Sequence, residues 1–256
     1  MIQPKNDLNG FILAGGAGTR FRPLTLTTPK PLIPVLDKPA IEYSLEIFQS
    51  LGIKEAVISL SHLAEKVEIA LGDGSRWGMK LYYSIEKTPL GTAGGFVQGL
   101  TYFSQPKTTL ILSGDIITNA NIQPIVDFHQ QKRAEFTVGV LEREDVSGAG
   151  ILSFDQNNKV DRYFEKPTKP EEVFSHWVNG SIYFAEPTVT NYLPPLGTSA
   201  DFSHDLFPAM VAKKAGMYAF PLPANQSYLI GIDSPELLKQ VESDILSGKV
   251  FNAKKN

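Results

Sequence analysis

The sequence predicts an α/β fold, a mostly parallel central sheet with helices on both faces. Short β-branched or aromatic runs alternate with longer segments whose apolar residues recur at three- and four-residue spacing. Strand–helix alternation of this kind calls for parallel strands covered on each side. A chain of 256 residues, 42% of them hydrophobic and 20% charged, is long enough to bury a sizeable core.

Taken in order, "GFILAGG" (10–16), "EAVISLS" (55–61), "KLYYSIE" (80–86), "TTLILSGDII" (108–117) and "EFTVGVLE" (135–142) read as strands. Helices are expected over 39–51, 62–71, 92–103 and 121–133. In the first of these, Ile41, Leu45, Ile47, Phe48 and Leu51 form a core-facing stripe. After about residue 143 the pattern changes. "GAGILSFDQNNKVDRYFEKP" reads as a hairpin turning on "DQNNK", and "WVNGSIYFAEP" as a strand. "SHDLFPAMVAKKAG" reads as a helix, "MYAFPLP" as a strand, and "SPELLKQVESDILSG" as a helix capped by Ser234 with Pro235 in its first turn. No linker divides the halves, so one domain over 1–256 is expected. About 10–142 would form one half and about 143–245 the other.

The net charge of −3 argues against a general nucleic-acid coat. Without cysteine, disulfides and Cys-ligated metals are excluded. No signal peptide or membrane-length apolar run is visible, so a cytoplasmic protein that binds no membrane is expected. His62, His129, His176 and His204 lack ligand spacing and read as structural. Trp77 and Trp177 read as packing residues.

The stretch "LAGGAGTRFRPLTLTTPKPLIPV" (13–35) carries the chemistry. Gly15, Gly16 and Gly18 allow a sharp turn after a strand and bring backbone N–H groups toward anionic oxygens. A dinucleotide-binding loop would start a helix here. Pro23, Pro29, Pro31, Pro34 and Pro39 forbid one and are expected to keep the chain extended for about 20 residues. The Gly-Lys-Ser/Thr ending of a P-loop is missing. A merely structural glycine turn leaves Thr19, Arg20, Arg22 and Lys30, all on the same connection, unexplained.

This stretch resembles the signature of the sugar nucleotidyltransferases: G-x-G-T-R, then R-P-L-T, then P-K-P-L-x-P-V and K-P. The resemblance continues through "EKTPLGTAGG" (86–95), "LSGDII" (112–117), "YFEKP" (163–167) and "VNGSIYF" (178–184), nearly the whole chain. It is most like the mannose-1-phosphate guanylyltransferase branch. The resemblance implies a Rossmann-like nucleotide-diphospho-sugar transferase fold with a smaller sugar-binding β/α portion; with no periodic hexapeptides in the sequence, no C-terminal β-helix is expected. It also implies a reaction in which a sugar 1-phosphate attacks the α-phosphorus of a nucleoside triphosphate and pyrophosphate leaves. These two substrates are the implied partners; oligomeric state is left open, a homo-oligomer included.

By the same resemblance Arg20 neutralises the β- and γ-phosphates, Lys30 reaches the α-phosphate, and Asp115 is a Mg2+ ligand. Leu13, Ala14, Gly15, Gly16, Gly18, Thr19, Glu86, Pro89, Gly91 and Thr92 would bind the nucleotide. Gly150, Glu165, Lys166, Asn179 and Gly180 would bind the sugar phosphate. Glu86 is informative about the base, since a carboxylate pairs with the N1–H and exocyclic amine of guanine. GTP and mannose 1-phosphate are therefore favoured. The alternatives are UTP, dTTP or CTP with another hexose or heptose phosphate. Glu86 ending a strand in solvent is the bland reading.

The departure lies near the end. The family's second metal-binding aspartate falls on Gly231, and Asp233 stands two residues later. Two residues along a strand keep the same face but lie about 6–7 Å apart. Asp233 could supply the carboxylate from a rebuilt loop, the metal could be held by Asp115, phosphates and water, or activity could be weak or absent. The last option describes a nucleotide-sugar-binding regulatory subunit.

Overall fold

Strand β1 (Asn9–Leu13) is the axis of a mixed sheet in the computed structural model, which describes residues 7–223 and 227–250. The first six residues, on which the expectation of no signal peptide rests in part, lie outside the described residues, as do both ends of the expected 1–256 domain. Further along the chain come β2 (Pro34–Val35), β3 (Lys38–Pro39), α1 (Ala40–Ser50), β4 (Glu55–Leu60), α2 (Ala64–Leu71), β5 (Lys80–Ile85), α3 (Gly91–Leu100), β6 (Thr109–Ser113) and β7 (Ile116–Thr118). Next are α4 (Gln123–Lys132), β8 (Phe136–Glu142), β9 (Gly150–Phe154), β10 (Val160–Glu165), β11 (Trp177–Ala185), α5 (Phe207–Ala212), β12 (Met217–Pro221), β13 (Leu229–Gly231) and α6 (Pro235–Leu246).

β1 pairs in parallel with β4 on one side and β6 on the other, and β4 pairs in parallel with β5. Helices α1 and α2 carry the chain outward from β1, whereas α3 brings it back across to β6. The strand order therefore reverses between β1 and β6, and their carboxyl ends open a crevice where sheets of this kind bind ligands. β11 continues the sheet antiparallel to β6 and also pairs with β8 and β9. β12 extends β8 in parallel, and β10 closes a hairpin with β9. The segments after residue 143 thus join the same sheet.

Alternation along β1 assigns the two faces. Ile12 packs among Leu45, Phe48, Ile58 and Leu112, under α1, α2 and α4. Phe11 packs among Phe96, Ile111, Phe136 and Phe207, under α3 and α5. A third cluster joins Phe21, Ile33 and Val35 of the proline-rich stretch to Tyr43, Ile117, Ile232 and Val241. It anchors that stretch and α6 to the same end of the sheet.

Three expectations are revised. The proline-rich stretch is not extended: it makes three short 3-10 turns at Thr19–Phe21, Leu24–Leu26 and Lys30–Leu32. Prolines supply the φ of such a turn and, lacking N–H groups, stop it from growing into an α-helix. "TTLILSGDII" is two strands, because the chain turns at Gly114 and Asp115 and β7 pairs instead with β13. The helix expected at 203–216 is a π-turn, Phe202–Leu206, running into the shorter α5 with Pro208 in its first turn. The remaining helices and strands lie within a few residues of their expected bounds, and Ser234 caps α6 by accepting from Leu237 N–H.

No helix among the described residues is long and apolar enough to cross a membrane. Phe136 sits in a ring cluster with Tyr183, Phe202 and Phe207, centroids 5.4 to 5.8 Å away. Two of these, Tyr183 and Phe202, line the crevice. Phe136→Ala is expected to cost about 3–5 kcal/mol, the range for a fully buried ring that leaves a cavity. Urea denaturation measures it; a loss under 1 kcal/mol would mean that the cluster is not a structural support.

Candidate active site

A cavity of about 600 Å³ opens at the carboxyl ends of β1 and β6. Its floor is built by backbone pairing. Ala14 N–H donates to Ser59 O (3.0 Å), Gly114 N–H donates to Leu13 O (2.9 Å), and the Ser61 hydroxyl donates to Gly15 O. Gly18 has φ +59°, and a Cβ there would lie 2.9 Å from the Thr25 methyl and 3.1 Å from Lys30 Cβ. The glycine lets the loop double back so that Lys30 approaches the floor.

Lys30 opens the third 3-10 turn. Its ammonium donates to Asp115 Oδ2 and, at 2.8 Å, to Asp233 Oδ1. Asp115 follows β6 and also accepts from the Ser113 hydroxyl. Asp233 follows β13, and Arg20 Nη2 lies 3.5 Å from its Oδ1 at the exposed rim. Burial works against the lysine's charge, but Asp115 and Asp233 outweigh it and raise its pKa. For Asp233, burial acts to raise the pKa. The hydrogen bond and charge of Lys30, with Arg20 and Lys166 farther off, overcome it and hold the carboxyl below the ordinary 3.8.

The problem posed by Gly231 has a geometric answer. β13 ends there: Ile232 N–H donates to Asp115 O and Asp233 N–H folds back onto Gly231 O, both at 2.9 Å. A Cβ built on Gly231 would lie 3.7 Å from Asp233 Oδ2. The turn brings the carboxylate back beside residue 231, within contact of where its side chain would start. The 6–7 Å separation expected along a strand does not apply, because the strand has stopped.

On one side of these charges is Glu86, which is buried rather than in solvent. Its Oε1 accepts from the Ser59 hydroxyl (2.6 Å) and its Oε2 from Leu90 N–H (2.8 Å). Gly15 faces it; a Cβ there would come within 3.5 Å of Oε1. Pro89, Gly91 and Thr92 line the same end, and Thr92 donates through N–H and hydroxyl to Asp201 Oδ1, each at 3.0 Å. On the other side are Gly150, Glu165 and Asn179.

Of the residues expected in the site, Leu13, Ala14, Gly15, Gly16, Lys30, Glu86, Pro89, Gly91, Thr92, Asp115, Gly150, Glu165, Asn179 and Asp233 line the cavity. Gly18, Thr19, Arg20, Lys166 and Gly180 do not. Arg20 and Lys166 stand exposed at its rim, Lys166 Nζ being 3.5 Å from Glu165 Oε1. Gly180 packs on the sheet, where a Cβ would be 2.7 Å from Gly139 O. Ser59 and Asp201 belong to the site without any motif to mark them, their partners Glu86 and Thr92 being distant in sequence. Ser113 and Tyr183 lie within the "LSGDII" and "VNGSIYF" stretches, but the resemblance assigns them no role.

Asp115 and Asp233 can be tested as metal ligands on their own geometry. Two carboxylates from different segments converge on one cation, here the ammonium of Lys30. No group of three or more His, Cys, Asp or Glu side chains fit to hold a metal occurs among the described residues. Two carboxylates suit magnesium, which keeps waters and phosphate oxygens in its shell.

The family model described as Nucleotidyl transferase matches residues 9–227. UTP–glucose-1-phosphate uridylyltransferase of Synechocystis sp. is 36% identical over 225 residues, covering 83% of this chain and 57% of that protein. Mannose-1-phosphate guanylyltransferase catalytic subunit beta of Drosophila pseudoobscura pseudoobscura is 33% identical, covering 85% and 57%. The chain thus spans somewhat over half the length of these relatives. Among solved structures, a Bacillus anthracis protein assigned as a glucose-1-phosphate thymidylyltransferase superposes with a TM-score of 0.80 at 22% identity. It covers 92% of this chain and 94% of its own, and shows the same α/β fold.

Lys30→Met removes the cation shared by Asp115 and Asp233. At pH 7 it is expected to cost roughly 3 kcal/mol, the low end for stranding a largely buried charge. Because the pKa of Asp233 is depressed in the fold, its share of stability is present above 3.8 and fades as pH falls through the lower folded value. The gap between wild type and variant should therefore narrow between pH 4 and pH 2. Urea denaturation across that window decides it, and a constant gap would contradict the coupling.

Proposed function

The chain belongs to the nucleotidyl transferase family, and on that premise we propose that it transfers a nucleotidyl group from a nucleoside triphosphate to a sugar 1-phosphate. The observation that carries the reading is the Lys30 ammonium held between Asp115 and Asp233, at β6, which stands in the sheet between β5, leading to Glu86, and β10 and β11, carrying Glu165 and Asn179. Such an arrangement suits two anionic substrates meeting at one phosphorus.

A sugar-phosphate oxygen forms a bond to the α-phosphorus. The bond from that phosphorus to the α–β bridging oxygen breaks, and pyrophosphate departs with the electron pair. A displacement of this kind calls for alignment and charge neutralisation more than for a nucleophilic side chain. Arg20, at the mouth, offers a planar fork to the departing β- and γ-phosphates. Lys30 leaves its carboxylates for the α-phosphate, where charge rises most. Asp115 and Asp233 would hold Mg2+, which would supply positive charge to offset that of the phosphates.

GTP is the favoured nucleotide. Ser59 and Leu90 each occupy one oxygen of Glu86 and fix the plane of its carboxylate, yet a carboxylate has about four acceptor positions. The remaining ones suit the adjacent N1–H and N2–H donors of guanine. Mannose 1-phosphate is the favoured acceptor, on the likeness to guanylyltransferases of that sugar. UTP with glucose 1-phosphate is the second reading, favoured by the Synechocystis relative.

The test is a matrix of five triphosphates against several sugar 1-phosphates, scored by pyrophosphate release with magnesium. GTP should be turned over best, and Glu86→Gln should lower the GTP preference by about 10-fold or more. Preference for UTP that survives Glu86→Gln would favour the second reading. No pyrophosphate from any pair would leave a non-catalytic binding subunit.

Lys30→Met should lower kcat by at least about 100-fold and change substrate affinity only a few-fold, because its charge matters most in the transition state. Equal losses in both would contradict that role. Asp233→Ala should abolish magnesium-dependent turnover, whereas near-normal rates would remove it as a ligand.

A further inference from the structure

Tyr163 opens the "YFEKP" stretch and stands on β10 two residues before Glu165, but the resemblance gives it no role. Alternation puts both side chains on the same face of this edge strand. The register pairs Tyr163 with Leu152 and Glu165 with Gly150 on β9. The ring of Tyr163 packs edge-on against Phe207, centroids 5.0 Å apart, as part of the core beneath α3 and α5. With the ring fixed, its hydroxyl donates to Glu165 Oε2.

Gly150 makes the room. A Cβ there would overlap the Tyr163 hydroxyl and sit 2.6 Å from Glu165 Oε2. Burial, then the bond to Glu165 and its charge, push the phenol's pKa up, with the amide of Asn179 opposing. The phenol therefore remains a proton donor at neutral pH. Glu165 and Asn179 line the cavity, but Tyr163 does not. Asn179 is braced in turn: its Nδ2 donates to the Tyr183 hydroxyl (2.9 Å) and its Oδ1 accepts from Ser181 N–H (3.0 Å).

We propose that Tyr163 is a positioning residue that occupies Oε2 of Glu165 and leaves Oε1, 3.5 Å from the exposed Lys166 ammonium, as the acceptor for one hydroxyl of the sugar phosphate. The inference rests on the transferase reading above. A freely rotating carboxylate accepts from hydroxyls in many places. One pinned at a single oxygen accepts best from one direction, which is how a site tells epimers apart.

Calorimetry with mannose 1-phosphate and glucose 1-phosphate, a non-hydrolysable GTP analogue being present, tests this. Tyr163→Phe keeps the ring and loses only the donor. It should weaken the preferred sugar phosphate about 10-fold, the scale of one hydrogen bond to a charged group. It should also narrow discrimination between the two sugars, while affinity for the GTP analogue stays within about twofold. Gly150→Ala, which crowds the hydroxyl instead of deleting it, should do the same. Tyr163→Phe combined with Glu165→Gln should lose little more than Glu165→Gln alone. If wild type binds sugar phosphate and Tyr163→Phe binds it equally well, the positioning role falls alone. Equal weakening of sugar and nucleotide would reduce Tyr163 to a structural residue and overturn the role too. If wild type binds neither sugar phosphate, the inference falls together with the transferase reading.

Discussion

One ammonium group, Lys30 Nζ, holds together three parts of the chain that are far apart in sequence. Asp115 follows a central strand and Asp233 follows a short strand near the end of the described chain. Two carboxylates this close repel each other and resist desolvation unless a cation lies between them. The opposed influences on Lys30, burial lowering its pKa and carboxylates raising it, express the same balance from the cation's side. If the lysine turns to a substrate phosphate, the carboxylates keep their charge and require a replacement cation. A divalent cation held by Asp115 and Asp233, as proposed above, would meet the need that Lys30 meets in this structure.

The scaffold makes that meeting point unavoidable. β1 and β6 are neighbours whose connections run in opposite directions, so Gly15 and Asp115 emerge side by side at the crevice. Close packing of Gly114 between Ala14 and Pro31, with a virtual Cβ 3.2 and 3.4 Å from theirs, brings the proline-rich stretch down onto the same spot. The hydrophobic cluster of Phe21, Ile33, Ile117, Ile232 and Val241 then fixes this stretch, β7 and α6 against one another. That cluster adds apolar support to the ion pairs and to the Ile232 N–H bond to Asp115 O that hold Lys30 and Asp233 near Asp115.

Strands and helices were legible because their signals are local. Hydrophobic spacing and capping residues such as Ser234 act within a few positions. The cations of the glycine–proline stretch were legible as well, since a structural turn has no use for Arg20 and Lys30 together. Tertiary geometry was less accessible. Prolines told that no helix could form, but not that single 3-10 turns would replace an extended chain. Glu86 could have ended a strand in solvent; only the fold brings Ser59 and Leu90 to its two oxygens. Asp201 meets Thr92 across 109 positions, and Tyr163 acquires meaning only once Gly150 is seen opposite Glu165.

The pair Gly231 and Asp233 shows why counting along a strand can mislead at a site. A carboxylate displaced by two positions keeps its face and loses its place as long as the backbone stays extended. Here the backbone does not. Ile232 is tied to Asp115 through its N–H, and the N–H of Asp233 turns back to Gly231. A Cβ on residue 231 would lie 3.7 Å from Asp233 Oδ2, in ordinary contact with the carboxylate. Asp233 thereby sets its negative charge against Lys30 beside Asp115, and electrostatics at a site depends on where the charge sits and not on which residue number carries it.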